Sequence, residues 1–174
     1  MIKYVPSMTS VVAEEIPDRV TLAVDISQCR GHCEGCHSPF LREDVGEELT
    51  EAIIDALVDD NFGVDCFLFL GEGSDPDRLL SLAAHVRSKG MAVALYSGRE
   101  AVPDSFWAAF DYLKIGPYRP SCGPLNKPTT NQRLYRALLP GEAVPAETVR
   151  HAGRPFLDIT CRLQHRGIDP NRTQ

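Results

Sequence analysis

No apolar run in the sequence approaches the roughly 18 residues of a membrane span, and Met1 to Ser10 lacks the apolar centre of a secretion signal. Neither a membrane protein nor an exported one is expected, and a cytoplasmic one is. Positive charge is scarce too: 18 Lys and Arg stand against 24 Asp and Glu, for a net charge of −6. A polyanion needs a net basic face, so nucleic acid is not expected as a partner. At 174 residues there is little room for a second catalytic domain, because single cores run to about 100 to 200 residues. Disulfides are not needed either. With 43% hydrophobic and 24% charged residues the composition is ordinarily globular, and a domain of this length buries about 70% of the surface of its unfolded chain. In a reducing compartment the six cysteines then suggest metal ligands, catalytic thiols or small core residues.

Thr21 to Ile26 reads as a strand leading into a loop. Gln28 to Arg42 follows with three Cys, two Gly, one Pro and two His and no helical or strand period, so something besides packing must organise it. Leu49, Ile53, Ala56 and Leu57 then recur at helical spacing behind Glu47 and Glu48, whose charges suit a helix N-terminus, predicting a helix from about Glu47 to Asn61. Val64 to Leu70 is apolar as buried parallel strands are, and ends in Gly71-Glu72-Gly73. Asp75 caps a helix that begins at Pro76, carries Leu79, Leu82, Ala83 and Val86 on one face and stops at Gly90. Met91 to Tyr96 repeats the strand signal and ends in Ser97-Gly98. A short helix around Asp104 to Phe110 precedes a strand at Asp111 to Ile115, which runs into Gly116-Pro117-Tyr118. Thr129 to Leu139 reads equally as strand or helix, and Pro155 to Leu163 as a last strand.

The alternation of strand and helix calls for a parallel sheet with right-handed crossovers. One α/β domain spans residues 1–174, with a core of about 20–163 and a polar C-terminal tail at 164–174 expected to fray. About five strands are too few for a closed eight-stranded barrel, so a partial (β/α) barrel is expected, parallel strands inside and helices outside, with its chemistry at the carboxyl ends of the strands. The cysteine loop and the three glycine-containing turns all follow strands, so they meet on one face.

Cys29, Cys33 and Cys36 form C-x3-C-x2-C in one loop, and a fourth protein ligand is missing nearby. Structural zinc would need His32 or His37 to complete its set. Three cysteines suit a four-iron cluster better, leaving one iron open to a substrate. Cys66 and Cys161, both within expected strands, read as small core residues. Cys122, between Pro120 and Pro124, is a loop thiol by default, with a catalytic or accessory-ligand role as the alternative. Gly71 and Gly73 need mean no more than a tight turn. Arg162, His165 and Arg166 form a basic group that is either a solvated tail or a dock for an acidic surface.

The cysteine spacing resembles the signature of the radical S-adenosylmethionine (SAM) enzymes. Cys29 to Pro39, CRGHCEGCHSP, resembles the cluster loop of the anaerobic ribonucleoside-triphosphate reductase activating proteins, small glycyl-radical enzyme activases of that superfamily. Gly71-Glu72 resembles the core of the superfamily's Gly-Gly-Glu-Pro motif. DYLKIGPY at Asp111 to Tyr118 and GPLNKPTTNQRLY at Gly123 to Tyr135 resemble the activating proteins specifically. The resemblance extends over roughly Val20 to Leu163.

This resemblance implies one 4Fe-4S cluster on Cys29, Cys33 and Cys36, the catalytic cysteines. It also implies SAM lined by Gly35, Cys36 and His37, with Gly71 and Glu72 meeting its methionine amino group. One electron from a donor such as flavodoxin or ferredoxin would cleave SAM to methionine and a 5'-deoxyadenosyl radical, and that radical would take the α-hydrogen of a glycine in a large partner reductase. Two departures stand out. Gly35 holds the position before the third cysteine where most of the superfamily has an aromatic residue, so adenine must find its stacking surface elsewhere. The proline of the glycine-rich motif is absent from Leu70-Gly71-Glu72-Gly73. The rival readings are a radical SAM enzyme for a small molecule and a zinc-stabilised binding module without catalysis.

Overall fold

The computed structural model describes residues 1–31 and 33–164. In chain order its elements are β1 (Lys3–Tyr4), β2 (Ser10–Val12), β3 (Thr21–Asp25), β4 (Glu47–Glu48), α1 (Glu51–Asp60), β5 (Cys66–Leu70), α2 (Pro76–Ser88), β6 (Ala92–Tyr96), α3 (Asp104–Ala109), β7 (Tyr112–Ile115), β8 (Arg133–Ala137), β9 (Val149–His151), β10 (Arg154–Asp158) and α4 (Cys161–Gln164), with short 3-10 turns at Pro6–Met8 and Pro39–Arg42. Eight strands form one sheet in the order β2-β3-β5-β6-β7-β8-β10-β9. β3, β5, β6 and β7 run parallel, and β2 at one side and β8, β10 and β9 at the other pair antiparallel. Among the described residues no pairing joins β2 to β9, so this mixed sheet is open.

Burial explains the parallel centre. Leu22, Val24, Phe67, Phe69, Val93, Leu95 and Leu113 lie on one face of the sheet and pack with α1, α2 and α3. The alternate residues Ala23, Cys66, Leu68, Ala94 and Tyr112 lie on the other face with Ile16, Ile159 and Leu163. Strands apolar on both faces can lie only between two layers, which is why their sequences read as continuous apolar runs. α2 starts as expected: the Asp75 carboxylate accepts from the Arg78 backbone N–H at 3.1 Å and Pro76 takes the first helical position.

Several expectations are corrected. Glu47 and Glu48 do not begin a helix; they pair as β4 with Tyr4 and Lys3, and α1 starts at Glu51 behind Thr50, whose hydroxyl accepts from Ile53 N at 3.3 Å. The undecided segment from Thr129 to Leu139 contains a strand, β8. The last strand ends at Asp158, so Cys161 opens the short helix α4 and is exposed rather than a core residue. Arg162 pairs with Asp18 at 2.5 Å. His165, Arg166 and the tail expected to fray beyond Gln164 lie outside the described residues, as does His32. No described helix is long and apolar enough to cross a membrane.

Candidate functional site

The parallel register brings four loops to one end of the sheet. Asp25 of β3 pairs with Leu70 of β5, Leu70 with Tyr96 of β6, and Tyr96 with Lys114 of β7, so all four strands deliver their next residues to the same edge. The cysteine loop is the continuation of β3. Its shape is set by backbone bonds: Cys29 N–H donates to the Leu41 carbonyl at 2.9 Å, Gln28 N–H to Glu43 at 3.2 Å and Cys36 N–H to Cys33 at 3.3 Å. The Arg42 guanidinium reaches back to the carbonyls of Gly31 at 3.1 Å and Cys33 at 3.2 Å, and Arg30 donates to the Ser74 carbonyl at 2.8 Å. Leu41 anchors the loop in the interior. Cys29, Cys33 and Cys36 are half-buried and in no disulfide.

Two neighbouring loops touch this one. A Cβ on Gly98, after β6, would stand 3.6 Å from Cys33 Sγ. A Cβ on Gly35, at φ +66°, would stand 3.2 Å from Pro120 Cγ and 3.6 Å from the Tyr118 ring, both after β7. The Thr129 to Arg133 run braces that β7 loop: Asn131 Nδ2 donates to the Pro117 carbonyl at 2.9 Å, and a Cβ on Gly116 would meet Gln132 Cα at 3.1 Å.

After β5 the turn is tight and crowded. Gly73 has φ +64°, and a Cβ there would lie 2.8 Å from Ile2 Cδ1. The Glu72 side chain between the two glycines is only 10% exposed. The Ser97 hydroxyl donates to its Oε1, while Arg99 Nε lies 2.9 Å from Oε2 without the alignment of a hydrogen bond, leaving that buried oxygen with no hydrogen-bond donor. The Arg99 cation neutralises that oxygen without hydrogen-bonding it, so the oxygen retains the capacity to accept an N–H.

Lys114 has no part in the sequence-derived site, yet the structure puts it there. It is 8% exposed, donates to the carbonyls of Gly116 at 3.0 Å and Ser97 at 3.4 Å, and lies 5.8 Å from the Tyr96 ring centroid. Burial pulls its ammonium down to about 8 despite the opposing charges of Cys33 and Glu15. Across the sheet, burial raises the Asp25 carboxyl; the exposed His37 pulls it back and Glu15 adds to the rise. The signal for Lys114 was a cation within the otherwise apolar strand YLKI. Cys122 is half-buried in a turn closed by its own N–H on the Arg119 carbonyl at 2.9 Å. Cys66 is fully buried, as expected, with its thiol pushed up to about 12 by desolvation.

Among the described residues no group of three or more His, Cys, Asp or Glu side chains is arranged to hold a metal ion. A four-iron cluster asks for a different geometry from a single ion, since its thiolates bind separate irons at the corners of a cube rather than converging on one centre. Three half-buried thiols free of disulfides in one loop suit a cluster in number and exposure, and Glu72 on the adjoining loop, ion-paired with Arg99, keeps an Oε2 that no donor hydrogen-bonds among the described residues. No family model, curated protein or solved structure matches the chain.

Proposed function

We propose that the chain is a cytoplasmic radical SAM enzyme of the glycyl-radical activase type, acting on an anaerobic ribonucleoside-triphosphate reductase. The observation that carries this reading is the meeting of the C-x3-C-x2-C loop with the Gly71-Glu72-Gly73, Gly98 and Tyr118 loops at the carboxyl ends of four parallel strands. Those strands, with α1, α2 and α3 packed on one face of an open sheet, support the reading as a parallel α/β core with its chemistry at the strand ends.

Cys29, Cys33 and Cys36 would hold the 4Fe-4S cluster. The chemistry this group supplies when bound is one electron, replaced by flavodoxin or ferredoxin, that splits the C5'–S bond of SAM into methionine and a 5'-deoxyadenosyl radical. Glu72 Oε2, which faces the Arg99 guanidinium at 2.9 Å but accepts no hydrogen bond among the described residues, would accept from the methionine ammonium. Lys114, a buried cation bonded only to carbonyls in the described structure, has the charge to meet the methionine carboxylate. The α-hydrogen of the partner's glycine then completes 5'-deoxyadenosine, and the remaining glycyl radical is delocalised over its flanking amides.

Anaerobically purified protein should contain iron and sulfide, change its EPR spectrum when SAM is added to the dithionite-reduced form, and release 5'-deoxyadenosine. Glu72→Ala should weaken SAM binding about tenfold, the worth of a hydrogen bond to a charged group, with iron content unchanged. Zinc in place of iron would remove this reading in favour of the binding module. Normal SAM binding by Glu72→Ala would reduce the glycine motif to a turn.

A further inference from the structure

The contact at Gly35 carries an inference about how the nucleoside is held. Gly35 adjoins Cys36 in sequence, and its missing side chain suits the close packing of the β7 loop there: at φ +66° a side chain would be strained, and its Cβ would crowd Pro120 at 3.2 Å and touch the Tyr118 ring at 3.6 Å. The cysteine loop therefore receives an aromatic ring from another segment. The backbone that carries this ring is also held. Gly116 N–H donates to the Arg99 carbonyl at 2.6 Å, Asn131 fixes the Pro117 carbonyl at 2.9 Å, and Arg119 pairs with Glu100 at 2.5 Å. Tyr118 is half-buried, so part of its surface stays open at the edge of the sheet where the four loops meet.

A purine needs a flat, polarisable surface more than it needs hydrogen bonds, and an aromatic ring with two side-chain torsions on a braced loop provides one with little loss of freedom. We infer that Tyr118, packed on Gly35, is the stacking platform for the adenine of bound SAM, which rests on SAM being the co-substrate. The Thr129 to Arg133 run then has a task in the site: Asn131 bonds the platform loop at the Pro117 carbonyl, and Gln132 packs closely against Gly116.

The test is equilibrium binding of SAM and, separately, of free L-methionine to cluster-loaded, unreduced protein under anaerobic conditions, where SAM is not consumed. Tyr118→Ala and Tyr118→Leu should each bind SAM about tenfold more weakly than wild type, as loss of one stacked base implies. Tyr118→Phe and Tyr118→Trp should stay within about twofold, and methionine affinity and iron content should be unchanged in all four. The leucine variant keeps an apolar group beside Gly35, so it answers the question if the alanine variant folds poorly. SAM affinity at the wild-type level in both truncated variants would overturn the inference while leaving SAM as the co-substrate. Equal loss for methionine and SAM would also overturn it, since the ring would then only shape the cysteine loop. A wild-type protein that binds neither compound would contradict the functional proposal itself and the platform with it.

Discussion

Cys66 lies fully buried in β5, whereas Cys29, Cys33 and Cys36 stay half-buried in a loop that hydrogen bonds and Arg42 hold in shape. On the proposed function, replacing any loop cysteine by Ala would leave two protein thiolates and a second open iron, so each variant should lose its iron and SAM cleavage while Cys66→Ala keeps both. Full iron content in any of the three, measured after anaerobic purification, would show a misassigned ligand. Cys66 also gives a pH test. Its thiol is raised from an ordinary 9.0 to about 12 in the folded protein, so its contribution to stability is full below 9 and is lost as pH rises through the window to 12, where only the unfolded chain gives up the proton. The difference in unfolding free energy between wild type and Cys66→Ala should therefore shrink as pH rises through that window. A difference independent of pH would mean that the thiol is solvated.

α1 and the turn after β5 depend on a few local groups. Thr50 caps α1 through Ile53 N, so Thr50→Ala should cost about 1 kcal/mol of stability, read from chemical denaturation, without touching iron content. An unchanged midpoint would mean that water replaces the hydroxyl. The strands that supply the site were legible in the sequence because burial on both faces leaves an unbroken apolar run, as in Val64 to Leu70. α2 was legible because Asp75 and Pro76 are local signals. β1, β4 and β9 were not, since two or three residues carry no period, and Glu47 and Glu48 look like the first turn of a helix until Lys3 and Tyr4 arrive from far along the chain. The same distance hid Lys114 and the Gly35–Tyr118 contact: a lysine in YLKI shows its place only when β6 and the cysteine loop lie beside it. The cysteines needed no such help, because their spacing within one loop is itself local.

Across the whole molecule, the chemistry proposed for this chain is confined to one end of an open sheet. The helices α1, α2 and α3 cover one face, and the strand ends bear the cysteine loop, Glu72, Gly98 and Tyr118. A glycine held inside a large partner reaches such a site only if the two proteins dock and exclude water while the hydrogen moves, with the Gly116-Pro117-Tyr118 loop and residues 126–133 forming part of the rim. The most direct measurement is EPR spectroscopy of this protein mixed anaerobically with the cognate reductase, SAM and an electron donor. A doublet should appear on the reductase, collapse to a singlet when its glycine α-position is deuterated, and be accompanied by ribonucleotide reduction; 5'-deoxyadenosine formed without any glycyl radical would contradict the activase assignment and leave a radical SAM enzyme that acts on a small molecule.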